Sequence, residues 1–258
     1  MEYETIRMQS EAGVTVITLA RPDVMNALNS QMRGEIADAV RQSAKLGRVL
    51  VITGEGRAFC SGQDLGDRVN PADADLERTL RDEYFPILQA ISNLEIPTIS
   101  AVNGPAAGAG ANLALAADVV IATESAYFLQ AFTRIGLIPD VGGTWFLPRH
   151  IGMAKAMGTA LFANRLSARE ASEMGLIWES VPDQDFETHW RERAKILAEG
   201  PTEAYRRIKL AIRESSGNSF DEQIALEARL QGEAGKTRDF KEGVLAFIEK
   251  RKPEFEGR

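Results

Sequence analysis

Four short runs of β-branched residues constrain this chain most: 14–20 (VTVITLA), 48–53 (RVLVIT), 97–103 (PTISAVN) and 118–122 (DVVIA). Each has strand length and is bounded by turn residues. Helical patterns lie between them. After Ser30, a candidate cap, Met32, Ile36, Ala39 and Val40 recur on one face of a helix predicted to reach about Lys45. Strands alternating with helices pair in parallel, because a parallel connection needs a crossover long enough to hold a helix. The fold class is therefore α/β.

Beyond residue 150 the pattern changes. Segments 154–163, 168–175, 186–199, 202–215, 220–235 and 238–251 all read as helix, broken by Gly or Pro at 175, 200, 201, 217 and 235. The last three carry apolar stripes (Ile208, Ala211, Ile212; Ile224, Leu226, Leu230; Val244, Phe247, Ile248) that need a covering surface, from this chain or from a neighbour. A division at 1–195 and 196–258 is expected, the second part being helical. Segment 66–76 (GDRVNPADADL) is the expected mobile loop.

Composition excludes several functions. The net charge of -7 argues against nucleic acid as the main partner, since phosphate binding needs clustered Lys and Arg. Residues 1–205 hold 18 basic and 27 acidic side chains, whereas 206–258 hold 12 and 10 and end in a basic cluster, Lys250-Arg251-Lys252. That cluster suits either a solvated helix end or an anionic ligand. One cysteine and two histidines exclude an intramolecular disulfide framework and leave little for a zinc site. No apolar run is long enough to span a bilayer, and the opening MEYETIRMQS lacks the regions of a signal peptide, so no membrane association and a cytoplasmic location are expected.

Three segments could carry chemistry. In RAFCSGQDL, 57–65, Gly62 lets the chain bend so that the Gln63 amide can point into a site; a plain glycine turn accounts for it too. Cys60 reads as a small buried residue rather than a nucleophile, with no histidine near it in sequence. In AVNGPAAGAGANLALAAD, 101–118, a helix of small residues starts near Gly108 and exposes free amides, among them that of Ala109. Close helix packing is the alternative use of those residues. Leu113 breaks the dinucleotide spacing of Gly108 and Gly110, and no Gly-Lys-Ser/Thr of a P-loop follows. In GLIPDVGG, 136–143, a lone carboxylate, Asp140, follows an apolar stretch; it is either a turn residue or an acid delivered to a dry pocket.

RAFCSGQDL, AVNGPAAGAGANLAL and GLIPDVGGTWFLPR, in this order and with EGVLAFIEKRKPEF near the end, resemble the crotonase (enoyl-CoA hydratase/isomerase) superfamily over essentially the whole chain. GQDL, AAGAGA, GGTW and AMGTALFANRLSA are most similar to its subgroup of ring-epoxide phenylacetyl-CoA isomerases. The resemblance implies a crotonase-like spiral of ββα units with a C-terminal helical trimerisation region, giving homotrimers or hexamers built as dimers of trimers. It implies an acyl-CoA substrate, with coenzyme A entering as part of that substrate and neither a resident cofactor nor a metal. The amides of Gln63 and Ala109 match the family's two oxyanion donors, each worth about 2.7–4 kcal/mol in the transition state.

The two glutamates of the hydratases fall on Asn112 and Phe132, neither of which can take up a proton. Asp140 matches the acid of the isomerases, facing the acyl chain in a pocket walled by Phe132, Ile138 and Trp145. Segment 80–91 brings Tyr84 and Phe85 either to that pocket or to the core. By the same resemblance Val24, Met25, Ser61, Asp64 and Leu65 hold coenzyme A, while Phe247 and Lys250 serve the adjacent subunit's ligand. Asp23 and Val24 stand where relatives often place a cation, so Arg21, Lys250 or another base must compensate. The activity implied is acyl-CoA isomerisation, on the ring epoxide or as a Δ3 to Δ2 enoyl shift. Hydration, thioester hydrolysis, dehalogenation and non-catalytic CoA binding are the alternatives.

Overall fold

The computed structural model describes residues 3–67 and 75–258. Residues 68–74 of the expected mobile loop lie outside the described residues. In chain order the elements are β1 (Ile6–Glu11), β2 (Val14–Leu19), α1 (Ser30–Leu46), β3 (Val49–Gly54), α2 (Leu76–Thr79), α3 (Phe85–Asn93), β4 (Thr98–Val102), β5 (Ala106–Ala107), α4 (Ala109–Leu115), β6 (Val119–Thr123) and β7 (Tyr127–Leu129). Then come α5 (Gly143–Phe162), β8 (Leu166–Ser167), α6 (Ala168–Glu173), β9 (Glu179–Val181), α7 (Phe186–Glu199), α8 (Thr202–Glu214), α9 (Phe220–Ala234) and α10 (Arg238–Glu249).

The principal sheet has the order β1-β2-β3-β4-β6-β9, with β1 antiparallel to β2 and every other pair parallel. A second sheet joins β5, β7 and β8. The four β-branched runs became β2, β3, β4 and β6. Their burial explains the composition. Leu50 and Ile52 of β3 face one core with Ile17, Leu19 and the apolar stripe of α1, whereas Val49 and Val51 face another with Ile99, Ile121, Trp190 and Ala194. A central strand covered on both faces needs apolar residues at consecutive positions.

Helix α1 starts where the sequence predicts, but its cap is Asn29, whose side chain accepts the Met32 N–H at 2.8 Å; Ser30 is the first helical residue. Helix α7 runs through the expected 195/196 division, and the chain breaks instead at Gly200-Pro201. Neither core cluster includes a residue beyond Ala198. The C-terminal arm, α8–α10, is attached through polar contacts: Lys209 Nζ donates to the carbonyls of Leu94 and Ile96 and pairs with Asp118 at 2.7 Å, and Arg213 binds Asp118 at 2.7 Å and the Ser92 carbonyl. Arg48, just before β3, reaches Thr202 Oγ1 and the carbonyls of Gly200 and Phe255. Ile208, Ile212, Ile224, Val244 and Ile248 remain exposed.

Candidate active site

Three segments distant in sequence are laced together beside the C-terminal ends of β2, β3 and β4. Asn26, fully buried in a left-handed conformation (φ 56°), accepts the Arg21 N–H and donates to the carbonyls of Glu55 and Ala58. That fastens the 21–26 loop to the 55–61 loop. Ser61 then donates its N–H to Met25 O at 2.9 Å and its hydroxyl to Val24 O at 3.2 Å. On the other side Cys60 pairs with Ala106 in a parallel bridge, and Ala107 N–H donates to Cys60 O at 2.9 Å.

The direction of the Gln63 amide follows from this lacing. Leu28 donates to Gly62 O and accepts from Asp64 N–H, so residues on either side of Gln63 bond the 26–28 strand. In a parallel bridge the middle residue's own N–H points the opposite way, here toward the 106–109 segment. Gly62 (φ +100°) makes the turn, and a Cβ built on it would lie 3.5 Å from Ala109 N and 2.8 Å from Ala107 O. The turn that carries the Gln63 N–H therefore lies against the Ala109 N–H. No hydrogen-bond acceptor for either N–H occurs among the described residues. Gly108 adopts φ 52°, ψ −127°, forbidden to most side chains, and its N–H is held by Leu129 O at 2.8 Å, leaving Ala109 as the first residue of α4. Helix α4 has only seven residues, so its dipole alone does not make an anion site.

Asp140 reaches the same region through α4. Asn112, three residues from Ala109 and so about 4.5 Å along the helix, donates from Nδ2 to Asp140 O at 2.7 Å. Gly143 N–H donates to the same oxygen at 2.8 Å, so Asp140 is a turn residue as well as an acid. Its Oδ1 is buried without a hydrogen-bond partner, and burial pushes the carboxyl up to about 6. The acid is thus turned inward.

Several expectations need correction. Asn112 is 0% exposed and both ends of its amide are engaged, Oδ1 accepting from Gln130 Nε2 at 2.8 Å, so it supports the loop and does not face a ligand. Phe132 is buried and lies near Gly108. Ile138 and Trp145, however, are 75% and 56% exposed in the single chain, and Trp145 stacks under the Arg149 guanidinium. Tyr84 is a core residue with the Arg33 guanidinium 5.1 Å over its ring, whereas Phe85 faces solvent. Arg21 Nη1 is bound to Asp64 at 2.8 Å and to Ala27 O, which lowers the Asp64 carboxyl. Val24, Met25 and Leu65 form an exposed rim. Phe247, 84% exposed, and Lys250 stand at the end of α10.

Gln130 and Asn26 were not foreseen. A buried amide looks like a surface residue in sequence, and only the tolerance of Asn for left-handed backbone pointed at Asn26. Cys60 is inert as expected, its thiol pushed up to about 12 by burial. No helix among the described residues is long and apolar enough to cross a membrane.

Known proteins resemble this chain over nearly its whole length. The family model described as Enoyl-CoA hydratase/isomerase matches residues 9–258. A protein of Rhodobacter capsulatus named probable enoyl-CoA hydratase is 60% identical over 258 residues, covering 100% of both chains. The 1,2-epoxyphenylacetyl-CoA isomerase of Escherichia coli K12 is 45% identical over 260 residues, covering 99% of each. Among solved structures, an enoyl-CoA hydratase subunit of Geobacillus kaustophilus superposes with a TM-score of 0.93 at 36% identity, covering 100% of both chains. A structure from Mycobacterium abscessus described as an enoyl-CoA hydratase/isomerase gives 0.93 at 35% identity, covering 98% of this chain and 100% of that one. The chain belongs to the enoyl-CoA hydratase/isomerase family, the crotonases.

Proposed function

We propose that this crotonase is an acyl-CoA isomerase. The N–H groups of Gln63 and Ala109 receive the thioester oxygen and stabilise the enolate, and Asp140 takes a proton from one carbon and returns it to another. The observation that carries this reading is the buried, unpartnered Oδ1 of Asp140, on a loop whose Asp140 carbonyl is held by Asn112, one turn of α4 from Ala109. A carboxyl raised to about 6 is ionised at neutral pH yet basic enough to accept a proton. The substrate in this reading is the ring epoxide of phenylacetyl-CoA, with a Δ3 to Δ2 enoyl shift as a related activity; the relative at 45% identity supports it by its name. Coenzyme A enters as part of the substrate, no resident cofactor takes part, and the reaction runs in the cytoplasm.

Hydration is the second reading, favoured by the name of the relative at 60% identity. Against it stands the absence of a carboxylate at 112 and 132: Asn112 is sealed and Phe132 is apolar. The uncovered stripes of α8–α10 fit a homotrimer, or a dimer of trimers, in which Phe247 and Lys250 reach a neighbour's coenzyme A. Mass analysis of products from 3-enoyl-CoA, trans-2-enoyl-CoA and the ring epoxide tests the reading. Expected are products of unchanged mass, and a fall of about 10²–10⁴-fold for Asp140→Asn. Addition of water to the trans-2 ester by an equally active Asp140→Asn protein would overturn it.

A further inference from the structure

Helix α4, the end of β7 and the loop before α5 meet at a single line of hydrogen bonds. Gln130 Nε2 donates to Asn112 Oδ1 at 2.8 Å, and Asn112 Nδ2 donates to Asp140 O at 2.7 Å. Gln130 is 2% exposed and its Oε1 is buried without a partner. The line has a fixed polarity. Asp140 O can only accept, so Asn112 must turn its NH₂ toward the loop and its oxygen toward Gln130, which must then donate. The orphaned Oε1 is the cost of that arrangement, because an unfilled buried acceptor loses its hydration. A flipped Gln130 would satisfy nothing and would set two oxygens face to face. The same stretch of chain also holds the other half of the site, since the residue before Gln130, Leu129, accepts the Gly108 N–H that precedes the Ala109 amide.

We infer that Gln130 is a positioning residue: by donating to Asn112 it fixes the Asp140 loop, and with it the inward aim of the carboxylate, relative to the amide pair. The inference rests on the proposed role of Asp140 as proton carrier. The packing leaves little room for substitutes, because a Cβ on Gly143 would lie 2.4 Å from Asn112 Nδ2. Among the described residues, Tyr84, Cys60 and the Arg33 guanidinium over the Tyr84 ring lie on this side of the site. Tyr84, at the junction leading into α3, feels the Asp140 charge, and Cys60 is buried near Tyr84; burial raises both, so they stay protonated while Asp140 titrates.

The test uses Gln130→Met, which keeps length without a donor, and Gln130→Glu, which keeps shape and donates only when protonated. Gln130→Met should lower kcat by about 100-fold, the scale of an ångström of misplacement, with little change in KM. It should also move the acid limb to lower pH as water reaches the carboxylate. Gln130→Glu should add an alkaline limb that the parent lacks, with activity restored as the new carboxyl protonates. Carbon NMR of labelled aspartate reads the Asp140 titration without any turnover and should show the same downward move in Gln130→Met. An unmoved Asp140 titration and a parental pH profile in both variants would overturn the inference, as would activity lost only in proportion to the unfolded fraction. Full activity in Asp140→Asn would instead sink the functional reading on which it rests.

Discussion

Replacing Gly62 by alanine strikes the amide pair without touching any side chain. The residue sits at φ +100°, where a Cβ costs about 1–3 kcal/mol of strain. The new Cβ would stand 2.8 Å from Ala107 O, against 3.4 Å or more for ordinary contact, so the 62 and 107 segments must part by about half an ångström. Ala107 cannot yield freely, because its N–H is tied to Cys60 O at 2.9 Å. Overpacking adds about 1–3 kcal/mol. Together these, about 2–6 kcal/mol, lower the melting temperature by roughly 4–24 °C at the 2–4 °C per kcal/mol of a chain this size. The catalytic effect is separable. Loss of one oxyanion donor costs about 2.7–4 kcal/mol, and a displaced donor belongs at the lower end, so kcat should fall about 100-fold in protein that is still folded. The assay is steady-state isomerisation of a 3-enoyl-CoA well below the variant's melting point, with near-ultraviolet circular dichroism giving the folded fraction. Gly34→Ala, on the exposed side of α1 with nothing near its Cβ, is the control and should keep kcat. A folded Gly62→Ala protein with unchanged kcat would refute the convergence of the two amides as the source of catalysis.

Asp140 supplies a pH prediction. Activity requires the ionised carboxylate, so kcat/KM should fall as pH drops through about 6. Because the folded carboxyl is raised above its unfolded value, the fold loses stability as pH rises from about 4 through about 6. Asp140→Asn should therefore raise the melting temperature at pH 7 and leave it unchanged near pH 3; equal melting at both would contradict the burial. Phe247→Ala and Lys250→Ala should raise KM for CoA esters but not for truncated thioesters lacking the nucleotide; an equal effect on both would remove α10 from the coenzyme site.

The central strands were legible because two-sided burial demands β-branched residues at successive positions, a pattern that survives in one dimension. Strand β1 was not. Its residues, IRMQSE, are mostly outward and polar, and its place is fixed by antiparallel pairing with β2. The first part of α5, before the kink at Gly152, was hidden too, since Gly142, Gly143 and Pro148 look like breakers, and only the turn closed by Asp140 O makes them a helix entry. Within the site, glycines at 62 and 108 and an acid in apolar company drew attention to Gln63, Ala109 and Asp140, while the roles proposed for them came from the family resemblance. The inward aim of Asp140 depends on Asn112 and Gln130, whose amides carry no sequence signature of burial. The wall expected from Ile138 and Trp145 failed for a different reason: apolar composition cannot distinguish a side chain facing its own pocket from one left open on a single chain.

The arm formed by α8–α10 is stitched to the body mainly by charge. Lys209 and Arg213 share Asp118, and Arg48 gathers three partners from both ends of the arm. Greasy interlocking tightens on warming and in salting-out electrolytes, whereas ionic seams soften as counterions crowd them, the sheltered Lys209–Asp118 pair least of all. Brine should therefore unfasten the rim of this molecule long before it troubles the interior.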